Sequence, residues 1–177
     1  MRLFLAVSLP PEVQTQLDAQ LEQLKKEYPY FSWVPKENYH ITLQYLGEVD
    51  RLDKIHSSVE EALFEVPPLE LYGQSAGVFI NSRITMYVSF MRQKMLEQIV
   101  ENVRRVFSIA DEKEYIPHLT IARYKVPSKQ QYLLIKKKLE NLNIDLEISV
   151  KNISLFETIA KGSKTEYKLL AEYQLGK

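Results

Sequence analysis

Two short stretches of this chain contain the same phrase, a histidine, one intervening residue, a threonine and an aliphatic residue. The first is "NYHITLQYLG" at 38–47, which contains His40 and Thr42, and the second is "IPHLTIARYK" at 116–125, which contains His118 and Thr120. Two of the three histidines in the chain therefore occupy this phrase. A single His-x-Thr carries little information, because a histidine in a strand is more often structural than functional. The repetition is what indicates a site.

The residue types and their spacing predict acid–base chemistry on a phosphate. In an extended strand alternate side chains share a face, so His40 and Thr42 point one way and His118 and Thr120 do the same in the second stretch. Histidine titrates near neutral pH, so one imidazole can remove a proton from water while the other donates to a departing oxygen. Threonine hydroxyls can hydrogen-bond the non-bridging phosphate oxygens. None of these steps requires a metal, and we expect no cofactor.

Other uses of the histidines are less well supported by the sequence. Two histidines without nearby carboxylate or cysteine partners fall short of a usual metal-ligand set. The third histidine, His56, has no threonine two positions later and falls within a polar helical stretch. We interpret His56 as a surface residue.

The elements that must position the two motifs follow from hydrophobic periodicity. "RLFLAVSL" is typical of a buried first strand, and each motif lies in a strand of its own. "PEVQTQLDAQLEQLKKEY" predicts an amphipathic helix opened by proline, and three later stretches also have helical periodicity. Two strands on either side of Asn81-Ser82 and further strands at the end of the chain complete the pattern. Strands and helices without a regular βαβ rhythm favour an α+β fold.

The spacing of the motifs predicts an internal duplication. They lie a little under half the chain length apart, and helices are predicted on both sides of each. We therefore expect one domain over residues 1–177, made of two similar lobes. If a pseudo-two-fold axis relates the lobes, the two His-Thr pairs converge on one cleft.

Composition excludes several classes of protein. The 177 residues are 45% hydrophobic and 26% charged, with 23 basic and 23 acidic side chains, which removes the basic footprint that strong non-specific duplex binding needs. Cysteine is absent, so disulfides and thiolate chemistry are excluded. The apolar opening is too short for a signal sequence, and no stretch approaches the roughly 20 apolar residues of a membrane span. We expect a cytoplasmic monomer that does not bind membranes.

At these residues the sequence resembles the 2H phosphoesterase superfamily, which is named for two His-x-Thr/Ser motifs. Within it, the chain is most similar to the RNA 2′,3′-cyclic phosphodiesterases, historically called 2′-5′ RNA ligases. "WVPKENYHITLQYLGEV" resembles the first motif region, "PHLTIAR" the second, and "RLFLAVSLPPEV" the opening strand and helix. The closing strands are also similar, but residues around Lys164-Thr165-Glu166 replace a Gly-Pro often found there, which puts substrate choice in doubt more than chemistry.

The resemblance implies two α+β lobes, each with an antiparallel sheet lining a central cleft and helices outside. It implies hydrolysis of 2′,3′-cyclic phosphate ends of RNA or nucleotides to 2′-phosphates, reversible as 2′-5′ ligation. His40 would be the proton donor and His118 the proton acceptor, with Thr42 and Thr120 holding the phosphate; the symmetric motif itself cannot assign acid and base.

Substrate-binding candidates lie close to the motifs. The resemblance implies a substrate role for Arg123, although strict alternation places it opposite His118 unless a bulge reorients the strand. Tyr124 and Phe4 are candidate base-stacking residues, and Tyr124 has the parity of His118. Tyr45 has the wrong parity, and we expect it in the core.

Two alternatives to RNA-end hydrolysis stay open at this point. One is a phosphodiesterase for another small cyclic phosphate, such as ADP-ribose 1″,2″-cyclic phosphate. The other is a non-catalytic nucleotide-binding module that uses the same cleft, although binding alone does not need two titrating groups.

Overall fold

The computed structural model describes residues 1–80, 83–110, 114–125, 128–162 and 164–176. The strands are β1 Arg2–Ser8, β2 Ser32–Trp33, β3 His40–Glu48, β4 Leu69–Ile80, β5 Arg83–Phe90, β6 His118–Lys125, β7 Leu146–Val150, β8 Asn152–Lys161 and β9 Lys164–Gln174. The helices are α1 Pro11–Gln20, α2 Glu22–Glu27, α3 Leu52–Leu63, α4 Lys94–Val106 and α5 Lys129–Glu140.

The strands form one antiparallel sheet with the order β7-β4-β5-β6-β3-β1-β8-β9, and β2 pairs with β6 at Ala122 and Arg123, beyond the pairing of β6 with β3. The order reads as two four-stranded halves that meet at the two motif strands. Each half runs outwards from a motif strand at the centre of the sheet. One half has the order β6, β5, β4 and β7, and the other has the order β3, β1, β8 and β9. The α+β fold with two pseudo-symmetric lobes is confirmed.

The two halves meet at a short pairing of β3 with β6. In the described part of the chain this pairing consists of Ile41 opposite Leu119, and both side chains are fully buried. The residue that follows the histidine in one motif therefore lies against its counterpart in the other. Because the strands are antiparallel, this register brings His40 towards Thr120 and Thr42 towards His118.

The helices cover the face of the sheet opposite the motif histidines. β1 shows the division: Leu3, Leu5 and Val7 belong to the main hydrophobic core, whereas Phe4 faces the ring of His40. The first predicted helix is interrupted at Leu21, but its four periodic apolar residues are all buried as predicted: Val13, Leu17, Leu21 and Leu24. None of the described helices has the length and apolarity that crossing a membrane requires.

The three later predicted helices are present, but the stretch predicted as a strand over 145–158 forms two strands, β7 and β8, in different halves of the sheet. The turn predicted at Asn81-Ser82 falls outside the described residues, but the two strands that flank it are present. α5 begins after Ser128, whose hydroxyl accepts from the backbone of Gln131 in a capping box, as a serine at this position favours.

Candidate active site

Both motif histidines line one cleft of about 430 Å³, together with both motif threonines. The ring Nδ1 of His40 lies 2.8 Å from the backbone oxygen of Asn38, and that of His118 lies 2.8 Å from the backbone oxygen of Ile116. A carbonyl can only accept, so each Nδ1 carries a hydrogen and donates it. The neutral form of each ring therefore keeps its lone pair on Nε2, the atom a base needs.

The surroundings of the two histidines are related by the pseudo-two-fold axis. His40 lies opposite Ser8 of β1, and His118 lies opposite Ser89 of β5. Each of these serines hydrogen-bonds a serine one strand further out: Ser8 to Ser154 at 2.9 Å, and Ser89 to Ser75 at 2.6 Å. The two halves therefore surround their histidines with equivalent residues, which accords with the predicted duplication.

Aromatic rings support both histidines from the sheet. The His40 ring centroid is 5.2 Å from that of Phe4, which stacks on Phe156 of β8 at 5.3 Å. On the other half the His118 ring meets the edge of Phe79 at 5.2 Å, and Phe79 stacks on Tyr87 at 4.0 Å. Each imidazole is thereby held beside a stacked pair of aromatic rings contributed by the two neighbouring strands.

Both motif strands have a β-bulge directly after the threonine. Along β3 the pairing with β1 skips Leu43, and along β6 the pairing with β5 skips Ile121. A bulge inverts the facing of the residues that follow it. Arg123 therefore lines the cleft, as only a bulge allows, and Tyr45 lines it from the equivalent position of β3. The prediction that Tyr45 is in the core is wrong, since 64% of this side chain is exposed.

Burial lowers the pKa of His40 below its ordinary value of 6.5. The Asn38 hydrogen bond raises this pKa, while the positive charges of Arg123 and His118 lower it further. These charges act on His40 only because they lie close to it in the cleft. An empty cleft thus favours the neutral form of His40, and a bound anion would favour the protonated form.

Further lining residues join distant parts of the chain, and sequence reasoning missed them. Arg104 of α4 donates from Nε to the Oε1 of Gln44 at 3.0 Å, and the Tyr115 hydroxyl donates to the Thr42 backbone oxygen at 3.1 Å. Tyr167 of β9 meets the His40 ring edge-on at 5.0 Å, and burial raises its pKa. These contacts join residues far apart in the sequence, and no local pattern indicates them.

The sequence profile of the 2′-5′ RNA ligase superfamily matches residues 10–162, which include both motifs and the cleft they form. The chain belongs to this superfamily.

Relatives of the superfamily match over almost the whole chain. An RNA 2′,3′-cyclic phosphodiesterase of Methanocaldococcus jannaschii is 28% identical over 98% of this chain and 100% of its own length. Another, from Thermotoga maritima, is also 28% identical and covers 98% of this chain and 95% of the relative.

Two solved structures share the superfamily fold. A crystal structure from Thermus thermophilus has a TM-score of 0.77 at 24% identity, covering 99% of this chain and 98% of that one. Escherichia coli LigT in complex with 3′-AMP has a TM-score of 0.75 at 22% identity with the same coverage.

Neither of the two predicted base-stacking residues, Phe4 and Tyr124, lines the cleft. Phe4 is 1% exposed, behind His40, so its ring offers no face to a base. The bulge that brings Arg123 into the cleft takes Tyr124 out of it, because both cannot share a face. Tyr124 instead stacks on Phe31, with ring centroids 4.5 Å apart, and lines an adjoining groove.

His56, predicted as a surface residue, is partly buried and hydrogen-bonded. Its Nδ1 lies 2.7 Å from the hydroxyl of Tyr173, and the ring is half-buried. It does not line the cleft. Within the described residues, no three histidine, aspartate or glutamate side chains are grouped as a metal site would need.

Proposed function

We propose that this protein hydrolyses 2′,3′-cyclic phosphate ends of RNA or nucleotides to 2′-phosphates by paired histidine acid–base catalysis, without a metal. The observation that carries the proposal is the convergence of His40, His118 and their threonines in one cleft, where the Nδ1–H of each ring donates to a backbone oxygen. The cyclic phosphodiesterase names of its relatives support the substrate class.

In the proposed reaction a water oxygen attacks phosphorus and loses its proton to Nε2 of His118. The bond from phosphorus to the 3′-oxygen breaks, and Nε2 of His40 donates its proton to that oxygen. The product has a 2′-phosphate and a 3′-hydroxyl, and the two histidines exchange their protonation states. With a 5′-hydroxyl of a second strand in place of water, the same steps form a 2′-5′ linkage, and their reversal restores the cyclic phosphate and releases the 5′-hydroxyl.

The assignment of His40 as the acid depends on the substrate. Burial lowers the pKa of His40 and so favours the neutral ring in the free protein, but a phosphodiester anion beside the ring stabilises the imidazolium. Substrate binding would then raise the pKa of His40, so that the ring takes up the proton it later donates. Thr42, Thr120 and Arg123 line the cleft with the histidines and would bind the non-bridging oxygens, and Arg123 offers the planar donors that suit phosphate.

The test is turnover of a 2′,3′-cyclic nucleotide by the wild type, His40→Ala and His118→Ala. We expect each variant to lose about 100-fold or more in kcat, which is the usual contribution of a positioned acid or base. Circular dichroism checks that both variants fold, and a chelator control checks the absence of a metal. Undiminished hydrolysis by both variants would contradict the proposal.

A substrate with sulfur at the 3′ position separates the acid from the base. A thiolate leaves without protonation, so it does not need the acid. We expect this substrate to restore turnover in His40→Ala and not in His118→Ala. Restoration in His118→Ala alone would reverse the two roles and leave the paired mechanism in place.

A further inference from the structure

A second depression adjoins the cleft and is open to it. We call it the basic groove; its volume is about 1140 Å³, and its lining includes Arg83, Lys125, Tyr30, Trp33 and Tyr124. It shares four lining residues with the catalytic cleft: Val34, Asn38, Arg123 and Tyr167. A chain whose end lies between the histidines can therefore continue into the groove.

Positive charge is concentrated in the basic groove. Arg83 and Lys125 lie opposite each other on β5 and β6, and Arg123 lies two residues before Lys125. No aspartate or glutamate occurs among the described lining residues. Because the formal charge of the whole chain is zero, this concentration is local and not a general property of the surface. Such a groove attracts a polyanion.

Aromatic rings line the groove together with these charges. The Tyr30 side chain is 61% exposed, and Trp33 is held in place by donating its indole N–H to the Tyr28 backbone oxygen at 2.8 Å. Exposed rings beside cations are the combination that binds unpaired bases along a phosphate backbone. A small cyclic phosphate bound at the histidines would leave these rings without a contact.

We propose that the basic groove binds the single-stranded RNA that precedes a cyclic-phosphate end, so that the protein prefers oligonucleotide ends to mononucleotides. This inference rests on the proposed function and names its substrate class. The strand from His118 to Lys125 is about 23 Å long at about 3.3 Å per residue. A mononucleotide held by the histidines cannot reach that far, whereas a strand of a few nucleotides can.

The kinetic test compares a 2′,3′-cyclic mononucleotide with a pentanucleotide that ends in the same cyclic nucleotide. We expect the wild type to have at least about a tenfold higher kcat/KM for the pentanucleotide, and the double variant Arg83→Gln/Lys125→Gln to lose most of this ratio. The preference should also fall with added salt, with a shallower slope in the double variant. Arg105→Gln/Lys151→Gln removes two exposed charges outside the groove and serves as the matched control.

A binding measurement tests the groove without turnover. Trp33 is the single tryptophan of the chain and lines the groove, so its fluorescence reports occupancy. We expect a pentanucleotide with a 2′-phosphate end to change this fluorescence at concentrations where a 2′-mononucleotide does not. The double variant should bind the pentanucleotide about tenfold more weakly, and the control pair should bind like the wild type.

The outcomes separate the groove from the reaction. Equal kcat/KM for the two substrates in the wild type would overturn the proposed role of the groove. So would an equal loss of kcat/KM for both substrates in the double variant. Groove-dependent binding without turnover of either substrate would overturn the proposed function and leave the groove standing. Failure of both turnover and groove-dependent binding would overturn both.

Discussion

At the scale of single residues, the two histidines are alike in their hydrogen bonds and different in their electrostatic surroundings. Each donates from Nδ1 to a backbone oxygen two residues earlier in its own chain segment. This contact fixes the tautomer and the ring orientation before any substrate binds. His40 is in addition packed among Phe4, Phe156 and Tyr167, and this burial lowers its pKa.

The lowered pKa of His40 makes stability depend on pH in a definite direction. The unfolded chain takes up this proton near the ordinary value of 6.5, and the folded protein takes it up only at lower pH. The contribution of His40 to stability is thus present above about pH 6.5 and is lost as the pH falls through the folded pKa. We expect the Tm of the wild type to fall more than that of His40→Gln between about pH 7.5 and about pH 5.5.

Thermal unfolding followed by circular dichroism measures this difference. Carboxylates titrate mostly below this interval, so they contribute little to the comparison. Equal acid sensitivity of the wild type and His40→Gln would show that His40 takes up its proton alike in both states. The pH dependence of kcat/KM provides a second measure, because a profile flat across this interval would contradict paired histidine catalysis.

At the scale of elements, the bulges decide which residues face the cleft. Strict alternation correctly places each histidine with its threonine, because no bulge separates them. It fails one residue later, where β3 skips Leu43 and β6 skips Ile121. The sequence could predict that Arg123 needs a bulge but could not predict the matching bulge in β3. For that reason the predicted face of Tyr45 is wrong, whereas Tyr124 is predicted in the cleft because strict alternation leaves out the bulge in β6.

The pairing of β4 with β5 supports His118 through a glycine. Gly77 lies opposite Tyr87, and a Cβ atom at residue 77 would lie 2.6 Å from the Tyr87 hydroxyl oxygen and 2.7 Å from Cζ. The ring of Tyr87 therefore lies across Gly77, where it stacks on Phe79 beside His118. We expect Gly77→Ala to displace this ring, destabilise the fold by about 1–3 kcal/mol and lower kcat.

A double-mutant cycle with Tyr87→Ala checks the cause. Without the tyrosine ring there is no clash, and the alanine lowers the conformational entropy of the unfolded chain. Gly77→Ala should then cost nothing or add stability in that background, measured by urea unfolding. The same cost in both backgrounds would place the clash elsewhere than at Tyr87.

At the scale of the whole molecule, the candidate active site lies where the two halves meet. The sequence could predict the two motifs, the α+β class and the convergence on one cleft, because a duplicated strand pattern implies them. It could not predict contacts between distant segments, such as that of Tyr115 with the Thr42 backbone near the seam between β3 and β6, or that of Tyr167 with His40 within one half. Those depend on the sheet order, in which β9 and β7 lie at opposite edges and β3 and β6 at the centre.

The seam makes one core position matter for catalysis as well as stability. Ile41 and Ile148 are both fully buried isoleucines in strands, but Ile41 pairs with Leu119 between the histidines and Ile148 pairs with Leu71 near the sheet edge. Replacing either by alanine should cost about 2–5 kcal/mol in unfolding free energy.

Only Ile41→Ala should also disturb the distance between His40 and His118, because the lost side chain packs between their strands. We expect its kcat/KM for a cyclic mononucleotide to fall at least about tenfold below that of Ile148→Ala, since small displacements of reacting groups are costly. The comparison is made at a temperature where circular dichroism shows both variants folded. Equal kcat/KM in the two variants would mean that other contacts, such as those of Tyr115 and Arg104, hold the histidines together without the seam.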